Sequence, residues 1–276
     1  MIERLIGLIF TILITFQSSI SFADQPIQLA IVLDDIGNST TDLQALKLPT
    51  AITFAILPYT PLSKKIARLA LKQNRELLLH VPMQAKSHND KLGKGALMLN
   101  MQESEFKAEL TKALHYLPDA TGINNHMGSV LTEHVKQMQW TMDILDKQGL
   151  YFLDSRTTAQ TIAESTAKIW GVPALRRHVF LDNIRTYKAM DEQFRQAITL
   201  GKRSFSVVII AHPYPETIQF LASKLDQVNS QIELVPLQQL LPQNERLAMA
   251  KKRKERQQVS YIITSQIVNN QTKKIQ

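Results

Sequence analysis

The chain has 276 residues, no cysteine and a formal net charge of +8. Without cysteine it can build neither a disulfide framework nor a zinc–thiolate site, so its stability rests on a hydrophobic core and any metal falls to His, Asp and Glu. The charge is concentrated: residues 246–276 hold eight Lys or Arg against the single acid Glu255, leaving about +1 for everything before them.

The first residues carry the pattern of an export signal. Leu5–Phe16 is a continuous apolar run of about a dozen residues behind Arg4, and Ser21-Phe22-Ala23 puts small residues at the cleavage-determining positions. The run falls short of the roughly 20 residues that a spanning helix needs. Cleavage is expected after Ala23, making residues 1–23 a signal peptide, with an uncleaved anchor as the alternative. Either way the domain works outside the cytoplasm, in the periplasm or beyond, and nucleic acid is the weakest class of partner.

From residue 27 to 242 short apolar runs alternate with helical patterns. Strands are expected at 28–33, 51–57, 76–81, 121–124, 151–154, 178–181, 205–211 and 232–235; helices are expected at 62–72, 103–114, 133–147, 158–167, 188–200 and 215–224. This alternation predicts a parallel sheet wound with helices, and seven or eight repeats fit a closed or nearly closed barrel better than an open sheet. No internal repeat or low-complexity linker interrupts it, which makes one α/β domain. The basic stretch 246–276 reads either as a solvated tail or as an attachment to an anionic surface, phospholipid or cell-wall polymer. Within it Glu245–Gln258 has the pattern to extend a helix, and the residues from Val259 alternate weakly like a strand.

The chemistry gathers at strand ends. Ala30-Ile31-Val32-Leu33-Asp34-Asp35-Ile36-Gly37 is an apolar strand closing in two carboxylates, with Gly37 opening the turn. On a regular strand Asp34 and Asp35 face opposite sides, which suits a division into metal ligand and proton acceptor. Of the seven histidines, His115 and His134 fall in polar helical patterns, His88 sits in a polar loop, and His178 begins its strand rather than ending it. His80, His126 and His212 each close an apolar run, and Asp154-Ser155-Arg156 closes another. In parallel α/β folds ligands and catalytic groups collect at that end of the strands. One such histidine is ordinary packing; three, beside Asp34, Asp35 and Asp154, point to a site.

The ordered set DDxG, HxPM, NHMGS, DSRT and AHP resembles the divergent polysaccharide deacetylase family (YibQ-type), a remote branch of the NodB-like carbohydrate esterases. The resemblance covers roughly residues 27–240 and rests on the set of five, each motif being weak alone. It implies a deformed (β/α)7-type barrel and a metal-dependent hydrolase that removes N-acetyl groups from an envelope or extracellular polysaccharide. Carried over by motif, Asp34 is the general base and Asp35 a metal ligand. His80 matches the first His of the His-x-x-x-His metal motif, whose second position is Gln84 here. That departure hands the third ligand to His126. His212 becomes the general acid, with Asp154, Ser155 and Arg156 orienting it or binding substrate, and with Asn124, Asn125 and Ser129 lining the sugar site.

One carboxylate and two imidazoles suit a single divalent ion, zinc being the expected one, with a coordination position left for water. An amine leaves only when protonated, so an acid such as His212 is required opposite the attacking water. Two other readings stay open: an inactive barrel that binds peptidoglycan as an envelope scaffold, and a different metal hydrolase. A phosphate-ester enzyme would call for a second metal or a cationic cluster, and Arg156 is the one cation near the inferred site.

Overall fold

The computed structural model describes residues 25–228, 230–256 and 258. The expected signal peptide and the strand-like stretch from Val259 lie outside the described residues. All strand pairings are parallel. The strands are β1 (Ile27–Ile36), β2 (Thr53–Ile56), β3 (Leu77–Met83), β4 (Gly122–Met127), β5 (Tyr151–Asp154), β6 (Ala174–Arg176), β7 (Val179–Phe180), β8 (Ser206–Ala211) and β9 (Ile232–Leu234). Between them run α1 (Ser63–Lys72), α2 (Glu103–Tyr116), α3 (Val135–Gln148), α4 (Ala163–Ile169), α5 (Tyr187–Ser204) and α6 (Pro215–Leu225).

The sheet order is β6-β5-β4-β3-β2-β1-β8-β7, with β9 beside the start of β1. The outermost strands β6 and β7 are separated in sequence by Arg177 and His178 alone. Arg177 donates its amide to Asp154 on one edge, and His178 donates to Val208 on the other. The sheet has therefore curled until two residues bridge its edges, giving the nearly closed barrel that the alternation predicted, in the deformed (β/α) form that the resemblance implied. Strand β6 was not anticipated, and the strand expected at 232–235 lies beside the ring rather than in it.

Alternation along each strand sorts side chains between two cores. On β1, Leu29, Ile31 and Leu33 pack outward against the helices, while Ala30 and Val32 join Ala55, Leu78, Tyr151, Leu153, Val208 and Ile210 inside the barrel. The inward row of each strand is short, and polar residues continue it at the ends. At the start of β3 that row begins with Glu76, a buried carboxylate that accepts from the hydroxyls of Thr53 (3.1 Å), Thr121 (2.9 Å) and Tyr151 (2.9 Å) and from the amide of Gln238 (3.0 Å).

The end of the described chain covers this pole. Residues 243–256 form a helix whose Met249 is buried in the inner core cluster. Lys252 pairs with Asp146, Arg253 donates to the Thr121 carbonyl and Arg256 to Gln148. Gly149, with φ +65°, leaves room for it, since a Cβ there would stand 2.7 Å from the Met249 carbonyl. The first part of the basic stretch is thus a docked helix, as the pattern over 245–258 foretold, and not a solvated tail. Three of its cations hold it to the barrel.

Candidate functional site

At the opposite pole the inward rows end in chemistry. Two residues past the last apolar inward position stand Asp34 on β1, His80 on β3, Ser155 after β5, Asp182 after β7 and His212 after β8, and on β4 the row that starts at Gly122 continues through Asn124 and His126. Asp34, His80, His126, Ser155 and His212 line a cavity of about 420 Å³.

Asp35 reaches the same cavity by breaking the strand. Its φ is +59°, and the pairing of β1 with β2 slips between Leu33 and Ile36. The left-handed backbone swings a side chain that alternation would send outward back toward the barrel mouth. The turn behind it is fixed by Gly37, at φ +127°, where a Cβ would meet the Thr60 hydroxyl at 2.3 Å. Asp42 then accepts from the amides of Gly37 and Ser39 and closes a capping box.

Asp35 Oδ1 stands 3.1 Å from His80 Nε2 and 2.8 Å from His126 Nδ1. Among the described residues, Asp35, His80 and His126 form the one group of three whose donor atoms lie within 4.8 Å of one another. Asp35 Oδ1 is shut off from solvent and has no well-aligned hydrogen-bond donor. An orphaned carboxylate oxygen facing two ring nitrogens fits a shared cation, and one carboxylate with two imidazoles suits zinc or a similar divalent ion. The tautomer agrees. Asn124 donates its amide to Asp34 Oδ1 at 2.8 Å, which turns its oxygen to His80 Nδ1, also at 2.8 Å. That oxygen can only accept, so Nδ1 carries the proton and Nε2 offers its lone pair toward Asp35.

The electrostatics separate the two acids. Burial pushes the Asp34 carboxyl up, against the opposing pull of His80, His212 and the Asn124 amide. Burial also pushes up on Asp35, but the His126 and His80 imidazoles outweigh it and hold the carboxyl well below its usual range. The two neighbouring carboxyls are thus driven in opposite directions in their affinity for a proton. His212 is the third charged partner. Its Nδ1 lies 2.9 Å from Asp182, whose other oxygen accepts from the His212 amide (2.7 Å) and the Thr217 hydroxyl (2.9 Å). Burial pulls the imidazole down, but Asp182 first, and Asp35 and Asp34 beyond it, raise it to about 9. Its Nε2 is turned toward Asp35 Oδ2, 3.9 Å away.

The remaining expected residues divide. Asn124 positions His80 and Asp34. Ser155 accepts from Asn124 at 3.2 Å, and Asn125 accepts from the Ser155 amide at 3.0 Å. Asp154 does not orient His212. It falls in the outward row with Phe152, and it accepts from the Arg156 amide and the Thr161 hydroxyl. Arg156, at φ +47°, gives its carbonyl to Arg177, and Ser129 receives the Lys86 amide outside the cavity lining. Gln84 is a structural peg: its side-chain oxygen accepts from the Leu99 amide at 2.7 Å. Asp182, which the sequence reading missed, was signalled by its place two residues beyond the inward Phe180.

The comparisons agree with this architecture. Residues 31–241 match the family model described as divergent polysaccharide deacetylase. An uncharacterized protein of Haemophilus influenzae is 36% identical over 219 residues, covering 79% of this chain and 77% of that one. The uncharacterized protein YibQ of Escherichia coli is 37% identical over 215 residues, covering 78% and 67%. The crystal structure of an uncharacterized protein, ATU2773 of Agrobacterium tumefaciens, superposes with a TM-score of 0.75 at 20% identity, covering 79% of this chain and 90% of that one. With its model spanning nearly the whole barrel and two relatives above one-third identity, the chain belongs to the divergent polysaccharide deacetylase family.

Proposed function

We propose that the protein is a metal-dependent hydrolase that removes N-acetyl groups from an envelope or extracellular polysaccharide. The observation that carries this reading is one cavity that joins a three-donor cation site to a raised carboxyl, Asp34, and an Asp-backed imidazole, His212. A divalent cation held by Asp35, His80 and His126, zinc being the expected one, supplies Lewis acidity for the acetamide carbonyl and the attacking water. Asp34 takes the proton from the water as its oxygen bonds to the carbonyl carbon. His212, charged at neutral pH and fixed through Nδ1 by Asp182, gives the proton at Nε2 to the departing nitrogen as the C–N bond breaks. The products are acetate and a free amino sugar. Asn124 keeps His80 and Asp34 in register throughout. The signal peptide sends the protein out of the cytoplasm, and the exposed Lys251 and Lys254 of the C-terminal helix face an anionic envelope surface, membrane or wall.

A paired scaffold would need no proton donor opposite a cation site, and the His212–Asp182–Thr217 arrangement favours the enzyme. Elemental analysis of the purified protein beside acetate release from N-acetylated glycans, peptidoglycan fragments included, tests the reading. About one equivalent of metal with acetate release is expected. Asp35→Ala, His80→Ala and His126→Ala should each strip the metal. Asp34→Asn should keep it and lose turnover by about 10²–10⁴-fold. Wild-type protein that takes up no metal after reconstitution would overturn the assignment and leave a glycan-binding barrel.

A further inference from the structure

One charged group in the cavity wall has no part in the chemistry above. Lys91 lines the cavity beside Asn38 and Met127, and it is the one Lys or Arg among the described lining residues. Its amide donates to the His88 carbonyl, while its side chain is exposed and makes no ion pair or hydrogen bond among the described residues. The contrast with Lys86 on the same loop is informative, since Lys86 is neutralised by Glu133 at 2.7 Å.

The loop that carries Lys91 is held firmly. Gln84 exchanges backbone contacts with Leu97, Val130 and Leu131, and its side chain takes the Leu99 amide at 2.7 Å, so both ends of the loop are tied to one residue. Asn89 clasps Ala85 twice, accepting its amide at 2.7 Å and donating to its carbonyl at 2.8 Å. Leu92 is buried next to Lys91. The pegged loop keeps the Lys91 backbone at the cavity rim, and its flexible stem carries the charge from there.

The other ionisable groups of the lining each face a partner of opposite type: Asp34 and Asp35 face His80 and His126, and His212 faces Asp182. Lys91 is the ionisable lining group without one, and its charge acts on an arriving glycan. We infer that Lys91 is a specificity-determining residue that selects glycans bearing a carboxylate next to the N-acetylated position, such as a lactyl ether or a uronate, over neutral chitin-like chains. The inference rests on the deacetylase reading of the same cavity.

The test uses a cell-wall tetrasaccharide carrying free lactyl carboxylates and the same tetrasaccharide with those carboxyls converted to methyl esters, which removes the charge and keeps the shape. Affinity is measured by titration calorimetry on full-length protein, and acetate release is followed in parallel. Wild-type protein should bind the acid about tenfold more tightly than the ester, a preference that shrinks as salt is raised. Lys91→Met should bring the acid-to-ester ratio close to one, and Lys91→Arg should restore most of it. The effect should sit in KM rather than kcat. A wild-type protein that treats acid and ester alike, or a Lys91→Met variant that keeps the preference, overturns the inference; acetate released from both glycans would then leave the deacetylase reading standing. Neither binding nor acetate release from either glycan would overturn both.

Discussion

Asp182 holds His212 in place and raises its affinity for a proton, so its replacement separates the proposed acid from the proposed cation site. Asp182→Asn should lower kcat by about 10²-fold through a misdirected, less basic imidazole while metal content stays at the wild-type level. Rate assays beside elemental analysis check this, and loss of metal would show that Asp182 serves the cation site. The residue was within reach of a sequence argument. Strand alternation places Phe180 inward and Asp182 two positions later, just as Val32 leads to Asp34, Leu78 to His80 and Ile210 to His212. The same parity sends Asp154 outward with Phe152, which the motif DSRT conceals. Asp35 obeys no such rule, because a φ of +59° on a non-glycine residue is a property of the folded backbone that alternation does not foretell.

The six helices were readable because each places apolar residues at helical spacing between turn signals, and the observed bounds fall within a few residues of the expected ones. Helix α4 is the exception, starting at Ala163 rather than Thr158 because Thr158 and Thr161 spend their hydroxyls on Glu133 and Asp154. The helix over 243–256 shows where composition misleads. Eight cations in the last 31 residues look like a solvated tail, yet Met249 is 3% exposed beneath the barrel. The cue lay in Met249 itself, an apolar residue among charges, and docking depends on a tertiary partner that periodicity does not name. Met249→Ala should destabilise the protein by about 2–3 kcal/mol with little change in the denaturant slope. Urea unfolding measures it, and a change below about 0.5 kcal/mol would mean the helix is dispensable.

Taken whole, the barrel is a polar bottom, an apolar middle and a mouth lined by acids and imidazoles. The bottom is built on Glu76, whose carboxyl is raised by burial despite donors from Gln238, Thr121, Tyr151 and Thr53. A carboxyl raised in the folded state binds a proton that the unfolded chain has already released. Its contribution to stability is therefore fully present below the ordinary carboxylate range and is lost as pH climbs through the raised value. Thermal melting of wild type and Glu76→Gln across mildly acidic to neutral pH should give curves that differ in slope over that window, the variant being flatter. Parallel curves would place the Glu76 carboxyl at its ordinary value. Barrel closure itself was only partly readable: the strand count predicted a ring, but the two-residue bridge at Arg177 and His178 emerges from how far the sheet curls.

The left-handed backbone at Asp35 has a consequence for how this protein can change. Glycine would occupy that conformation without strain, yet Asp35→Gly would also take away the carboxylate that the His126 and His80 imidazoles hold ionised, so relief of the backbone is set against a lost favourable interaction. Aspartate at this position is therefore kept by its side chain and against its backbone, and a lineage that gave up the proposed cation site would be free to exchange it for glycine.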